Sequence, residues 1–380
     1  MKFGMFFELQ MPKPWSANAE YNTFWQAVEQ VTYAEEMGFE HVWLVEHHFL
    51  TEFAHSSAPE VTLAIMAERT SRMRLGLGVV LTPVHHPLHV AARVATLDIF
   101  SKGRVDVGVG RTKGPYQLTP FGTDVAQTQS MMLETLECLP GMWTQEVFSH
   151  EGENWKIPPR EVIPKPIQKP HPPLWMACTQ EDTFRLAGEL GLGCLVNTLG
   201  GTDKTRSLVN TYFEAIKNAK PVGHFVNKQV VASTIGFCDE QDQRARKKGA
   251  EVAAWYLNQS KQRFTLEWAG VDPDSVPAEY QFYVRGGSRM MDPQQQKPPT
   301  PEELLAGGGY CVGNPDACIW VIEEFEAMGV DEIMPIFQAG HATHQEVMNS
   351  IRLFGKYVIP HFKEKEQRAK KAARPSPADN

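Results

Sequence analysis

The sequence is short of the features that mark several large classes of protein. Its six cysteines, at 138, 178, 194, 238, 311 and 318, are scattered, with no CxxC pair and no zinc-ligand spacing. In a chain of 380 residues this predicts reduced, buried thiols and a cytoplasmic protein, not a disulfide framework. No apolar run approaches the ~18 residues of a membrane-spanning helix. The opening MKFGMFFELQMP meets polar residues too early for a signal peptide. Positive charge is outweighed: 37 Lys and Arg against 45 Asp and Glu give a net charge of −8, and no stretch forms a basic stripe, so there is no electrostatic footprint for nucleic acid. A GxGxxG fingerprint is missing after the first apolar run, which removes the main support for a doubly wound dinucleotide-binding sheet.

What is present is an alternation. Apolar runs at 2–7, 41–46, 74–81, 104–110, 173–178, 194–197, 229–238 and 331–337 read as strands, with helix-period stretches between them. Eight strand–helix units is the count that closes a (β/α)8 TIM barrel. Near-continuous apolar strands suit a parallel sheet buried on both faces. The reading is one α/β barrel domain over residues 1–362 with insertions, notably a long loop before the last helix–strand unit. The prolines of IPPREVIPKPIQKPHPP within 145–172 impose extended backbone. Residues 259–310, rich in glycine and proline, read as a mobile lid. The charged tail 363–380 reads as a solvated helix end.

In such a barrel the chemistry sits at the C-terminal ends of the strands. HVWLVEHHF (41–49) places Glu46, His47 and His48 there. Adjacent residues in extended backbone point to opposite sides, so the two histidines are a poor chelating pair. HATH (341–344) lacks a carboxylate companion, and no metal site is expected. His47 is expected to point into the mouth as an acid–base group, His48 to face away and position the loop, and Glu46 to orient a neighbour. LTPVHHP (81–87) brings His85 and His86 to the third strand end, beside prolines that also suit a plain turn. GVGRTKGPY (108–116) offers glycines for close backbone approach and Arg111 as a planar fork for a phosphate. ACTQEDT (177–183) puts Thr179 and Thr183 at a helix start, which serves either as an ordinary N-cap or as an anion site. On neighbouring strands, Arg111 and that helix start could grip one phosphate. Phe7, Trp43, Trp175 and Phe337 are candidates for an aromatic pocket lining, or plain core.

VWLVEHHF, HHPLHVAARVATLDIFSKGRVDVGVGR, FGTD and VGNPDAC, in this order and spacing, resemble the bacterial luciferase-like flavin monooxygenases. The likeness runs from MKFGMF to VIPHF, and EHHF followed by TEF is similar to the catalytic α chain of luciferase in particular. The resemblance implies a TIM barrel that takes reduced FMN from a separate flavin reductase. It also implies that O2 adds at the flavin C4a and that the resulting peroxide oxygenates a small aldehyde, ketone or similar molecule. It implies His47 as base or proton relay, His86 near the flavin ring, and Arg111 with Thr179 and Thr183 at the FMN phosphate. A homodimer through the helices beside strands 2 and 3 is implied as well. Where luciferase has a reactive cysteine before that arginine, this chain has Gly110, which is expected to open space beside the flavin and to favour a substrate other than a light-emitting aldehyde. Cys178 is a candidate replacement, or a buried thiol. The alternative on the same scaffold is a deazaflavin-dependent oxidoreductase, hinted at by Lys113 beside Arg111; a non-catalytic partner chain would lack the long lid and the histidines.

Overall fold

The computed structural model describes all residues except 113, 199–200, 269–270, 273, 275, 277–279, 282–283, 285–300, 307 and 373–380. Eight parallel strands close on themselves: β1 (Lys2–Phe7), β2 (His41–Leu44), β3 (Arg74–Leu81), β4 (Val105–Gly110), β7 (Leu174–Cys178), β8 (Gly193–Asn197), β9 (Val230–Cys238) and β11 (Glu332–Ile336). β8 pairs with β9 and β11 with β1, so the barrel has no open edge between them. A short β10 (Cys311–Gly313) adds to β9 from outside the ring. The helices that shape the mouth and its surroundings are α1 (Ala19–Met37), α2 (Pro59–Arg69), α3 (Pro87–Phe100), α4 (Pro115–Leu118), α5 (Thr128–Thr144), α6 (Glu181–Glu189), α7 (Thr202–Ile216) and α8 (Asp242–Glu267).

Local signals set these boundaries. Pro59 and Pro87 occupy the first helical positions of α2 and α3, where a missing N–H is harmless. Gly38 ends α1 in the left-handed region at φ 95°. The proline-rich stretch after α5, which by its prolines alone is only extended chain, begins as an antiparallel hairpin of β5 (Phe148–Glu151) with β6 (Lys156–Arg160). The expected lid is different at its start: α8 continues as helix through Glu267, and much of the remainder lies outside the described residues. The tail is helical from Ile359 to Ala372.

Two tryptophans fill the barrel. Trp43 and Trp175 meet edge to face at 5.3 Å, with Leu195, Val231 and Met334 packed beside them. They fit because strand neighbours lack side chains: a Cβ at Gly76 would overlap the Trp43 indole, and one at Gly193 that of Trp175. Below them is a buried polar floor. His41 sits between Glu332 (2.7 Å) and Asp106 (3.0 Å), and those carboxylates also accept the Trp43 and Trp175 indole N–H groups at 3.0 Å. Burial alone would depress the His41 imidazole, but the Glu332 charge and the Asp106 hydrogen bond outweigh it and lift it to about 9. The larger core lies between sheet and helices and contains Phe7 and Phe337. None of the four aromatics expected at the pocket is exposed; all are core.

Candidate active site

The chain beyond β2 supplies a carboxylate that organises two imidazoles. Glu46 is buried, and its Oε1 receives His48 Nε2 at 2.8 Å and His85 Nε2 at 2.6 Å. Its Oε2 accepts the Leu81 backbone N–H at 2.9 Å, which ties the end of β2 to that of β3. Burial pushes this carboxyl up, yet the bonds from His48 and His85 prevail and hold it at about 2. Glu46 therefore does orient neighbours, and it orients both His48 and His85.

His47 turns the other way. Its Nδ1 lies 3.2 Å from Gln117 Oε1, and its ring meets Phe53 at 6.1 Å. Gln117, buried on α4, also accepts the His48 backbone N–H at 3.0 Å. The Gln117 Nε2 donates to Thr112 Oγ1 at 2.9 Å and to Glu267 Oε1 at 2.7 Å. Arg263, one turn back on α8, lies 3.7 Å from the same Glu267 oxygen and 4.9 Å over the Phe53 ring. The end of α8 is thus fastened beside His47.

The other residues singled out in the sequence divide. Arg111 follows β4 directly, with its guanidinium 4.9 Å over the Tyr280 ring, and Tyr280 is hydrogen-bonded to Thr128 on α5 at 2.6 Å. Gly110 does not open space: Val79 Cγ2 would lie 2.5 Å from a Cβ there, so the place of a side chain is already filled. Thr183 Oγ1 accepts the Thr179 and Gln180 backbone N–H groups at 3.0 and 3.1 Å, which caps α6 and leaves that hydroxyl committed to the turn. Cys178 is buried in the outer core with its Sγ 3.3 Å from the Thr183 carbonyl oxygen, while the preceding Ala177 lies 3.7 Å from where a Cβ at Gly110 would stand. Strand alternation therefore puts Ala177, not Cys178, on the Gly110 side. His86 is the N-cap of α3: its Nδ1 accepts the Leu88 N–H at 3.2 Å and its ring packs on Trp155 at 4.9 Å. Burial, then His89, lowers its pKa. His85, not His86, is the third-strand histidine joined to the His47–His48 segment. Lys113 lies outside the described residues.

Sequence reasoning missed a second polar cluster at the mouth. Glu8, just past β1, accepts the Tyr256 hydroxyl at 2.8 Å and the Gln10 amide at 2.6 Å. Tyr256 belongs to α8 and is also bonded to Asn197 at the end of β8, so α8 is hooked across the barrel. Burial, then the Glu8 charge, raises the Tyr256 pKa well above its ordinary value. Leu9, between Glu8 and Gln10, sits at φ 55°, a left-handed conformation that costs a side-chain-bearing residue ~1–2 kcal/mol. The strand-end rule could have found Glu8; nothing in the sequence marks Gln117, Tyr256 or Glu267.

Among the described residues no group of three or more His, Cys, Asp or Glu side chains is arranged to hold a metal ion, and no helix is long and apolar enough to cross a membrane. Residues 1–332 match the profile of the luciferase-like monooxygenase family. The chain is 24% identical to the oxygenase component of the flavin-dependent trigonelline monooxygenase of Acinetobacter baylyi, over 96% of each chain. It is 26% identical to an alkanal monooxygenase alpha chain of Photorhabdus luminescens, over 97% of this chain and 98% of that one. The solved structure of the monooxygenase RslO1 from Streptomyces bottropensis superposes with a TM-score of 0.77 at 26% identity, covering 95% of this chain and all of that one.

Proposed function

Because the chain belongs to the luciferase-like monooxygenase family, we propose that it is the oxygenase of a two-component system, fed with reduced FMN by a separate flavin reductase and placing one atom of O2 on a small organic substrate. The relative named as an oxygenase component supports the division of labour. Reduced FMN, when bound, supplies the electrons that activate O2; this chain supplies the anion grip, the shelter and the proton.

The donor chemistry of the mouth fits that cofactor. Arg111 provides a fixed planar cation for a monoester phosphate. Thr179 and the N-terminus of α6, on the neighbouring β7, add a hydroxyl and oriented backbone dipoles, with Thr183 shaping the turn. One observation carries the reading. The loop that starts with Arg111 returns Gln117 to His47, so the phosphate cation and the acid–base imidazole are built as one unit. An imidazole is the side chain suited to both taking and returning a proton near neutrality, and that is the role given to His47. Cys178 and His86 are left out of the cofactor contacts, and Gly110 contributes a backbone surface backed by Val79.

We propose further that two copies pair through α2 and α3. Val61 and Ile65, one turn apart on α2, and Ile99 and Phe100 at the end of α3 are exposed apolar side chains, Phe100 by 69%. The test of the cofactor assignment is anaerobic titration with reduced FMN and, in parallel, a reduced deazaflavin. Saturable binding of reduced FMN, weakened in Arg111→Ala, supports the reading; exclusive binding of the deazaflavin contradicts it.

A further inference from the structure

The amide of Gln117 can be oriented without assuming anything about His47. The His48 backbone N–H can only donate, and it lies 3.0 Å from Gln117 Oε1. At the other end, Gln117 Nε2 is 2.7 Å from a Glu267 carboxyl oxygen and 2.9 Å from Thr112 Oγ1. Rotating the amide by half a turn would set N–H against N–H and carbonyl oxygen against the Glu267 carboxyl group. Two independent anchors therefore fix Oε1 as an acceptor. His47 Nδ1, 3.2 Å from that same oxygen, must be a donor. In the neutral imidazole one nitrogen carries the proton and the other the lone pair.

We propose that Gln117 is a positioning residue that locks neutral His47 in its Nδ1–H tautomer, with Glu267 at the end of α8 holding Gln117 in place, so that Nε2 is the proton-accepting atom. The proposal rests on the monooxygenase reading for its use and on the geometry alone for its truth. Nε2 takes one proton from the reacting group in the mouth, which leaves an imidazolium whose Nδ1–H bond to Gln117 is undisturbed. The same Nε2–H returns the proton later in the cycle. A wrong tautomer would present an N–H where the lone pair is needed. Isolated in water, neutral histidine prefers the Nε2–H form, so the protein must enforce the other one. Thr112, which accepts from Gln117, follows Arg111 directly, and this couples the angle of the imidazole to the seating of the phosphate loop.

The test is a long-range proton–nitrogen NMR correlation on flavin-free protein labelled with 15N-histidine, with His47 identified by its loss in His47→Gln. The parent is expected to show Nδ1 as the protonated nitrogen and Nε2 as the bare one. Gln117→Leu is expected to move population to Nε2–H and to lower turnover about 10- to 100-fold, less than the full ~10²–10⁴-fold worth of a positioned acid–base group. Glu267→Gln keeps an amide oxygen for Gln117 and should retain the parent pattern, whereas Glu267→Leu should not. An Nε2–H parent, or a Gln117→Leu protein with Nδ1 still fully protonated, overturns the proposal. The parent spectrum decides even where a variant does not fold. A parent with the expected tautomer that never turns over reduced FMN contradicts the functional reading alone.

Discussion

Glu46 Oε1 lies 2.6 Å from His85 Nε2 and 2.8 Å from His48 Nε2, so one carboxylate oxygen binds the ends of β2 and β3 together at the barrel mouth. Its carboxyl is held at about 2 against an ordinary 4.5. A group depressed in this way stabilises the fold above its unfolded value and loses that contribution as pH falls through the folded one. At ~1.36 kcal/mol per pH unit the difference is about 3 kcal/mol. Denaturant unfolding between pH 5 and 2 should show the fall, and Glu46→Gln should flatten it. An unchanged acid limb in that variant would remove Glu46 as its source.

The opposite sign applies at the barrel floor. His41 is lifted to about 9, so its stabilisation is complete below ~6.5 and is lost as pH rises through 9. His41→Gln strips the cation from between Asp106 and Glu332, and breaking such a buried pair costs about 3–5 kcal/mol. The variant should be less stable at pH 7 and should lack the parent's decline between pH 7 and 10. A parent whose stability is flat over that range contradicts the bridged imidazolium.

Gly110 and Val79 share one space. Gly110→Ala places a Cβ 2.5 Å from Val79 Cγ2, and overpacking of this kind costs about 1–3 kcal/mol. Val79→Ala in the same chain should recover most of that loss in thermal unfolding. Equal stability of Gly110→Ala and the parent would show that the space is open after all.

Arg111→Ala should weaken binding of reduced FMN about 10- to 100-fold, the worth of one charge-assisted contact of ~1.5–3 kcal/mol. The flavin-free protein should keep nearly its full stability. Titration followed by flavin fluorescence or calorimetry reads the change, and parent-like affinity would place the phosphate elsewhere.

His47→Ala should lower turnover about 10²–10⁴-fold with little change in FMN affinity. His85→Ala and His48→Ala act through Glu46 and should lower stability more than turnover. Equal losses of turnover in all three would assign the motif a structural role.

Much of the fold was legible because the eight apolar runs are the eight barrel strands, and their ends locate the mouth. Side-chain direction was legible only where a strand is regular. Counting by twos from Trp175 sends Ala177 inward and Cys178 to the helices. The choice between His85 and His86 lay beyond a 3-10 turn at Thr82–Val84, across which parity cannot be counted. Gln117 and Glu267 are 150 residues apart and meet only because α8 crosses the mouth, which no local pattern encodes. Thr183 resembles a phosphate ligand because a capping hydroxyl and an anion-binding hydroxyl look alike in sequence.

Whether this chain binds reduced FMN and controls its reaction with O2 can be read directly by rapid mixing of the anaerobic complex with oxygenated buffer while flavin absorbance is followed. Return of the oxidised-flavin spectrum should separate in time from the initial reaction with O2, and the separation should shrink in His47→Ala and vanish without protein. Reoxidation in one step, at the rate of free reduced FMN, would contradict the proposed function.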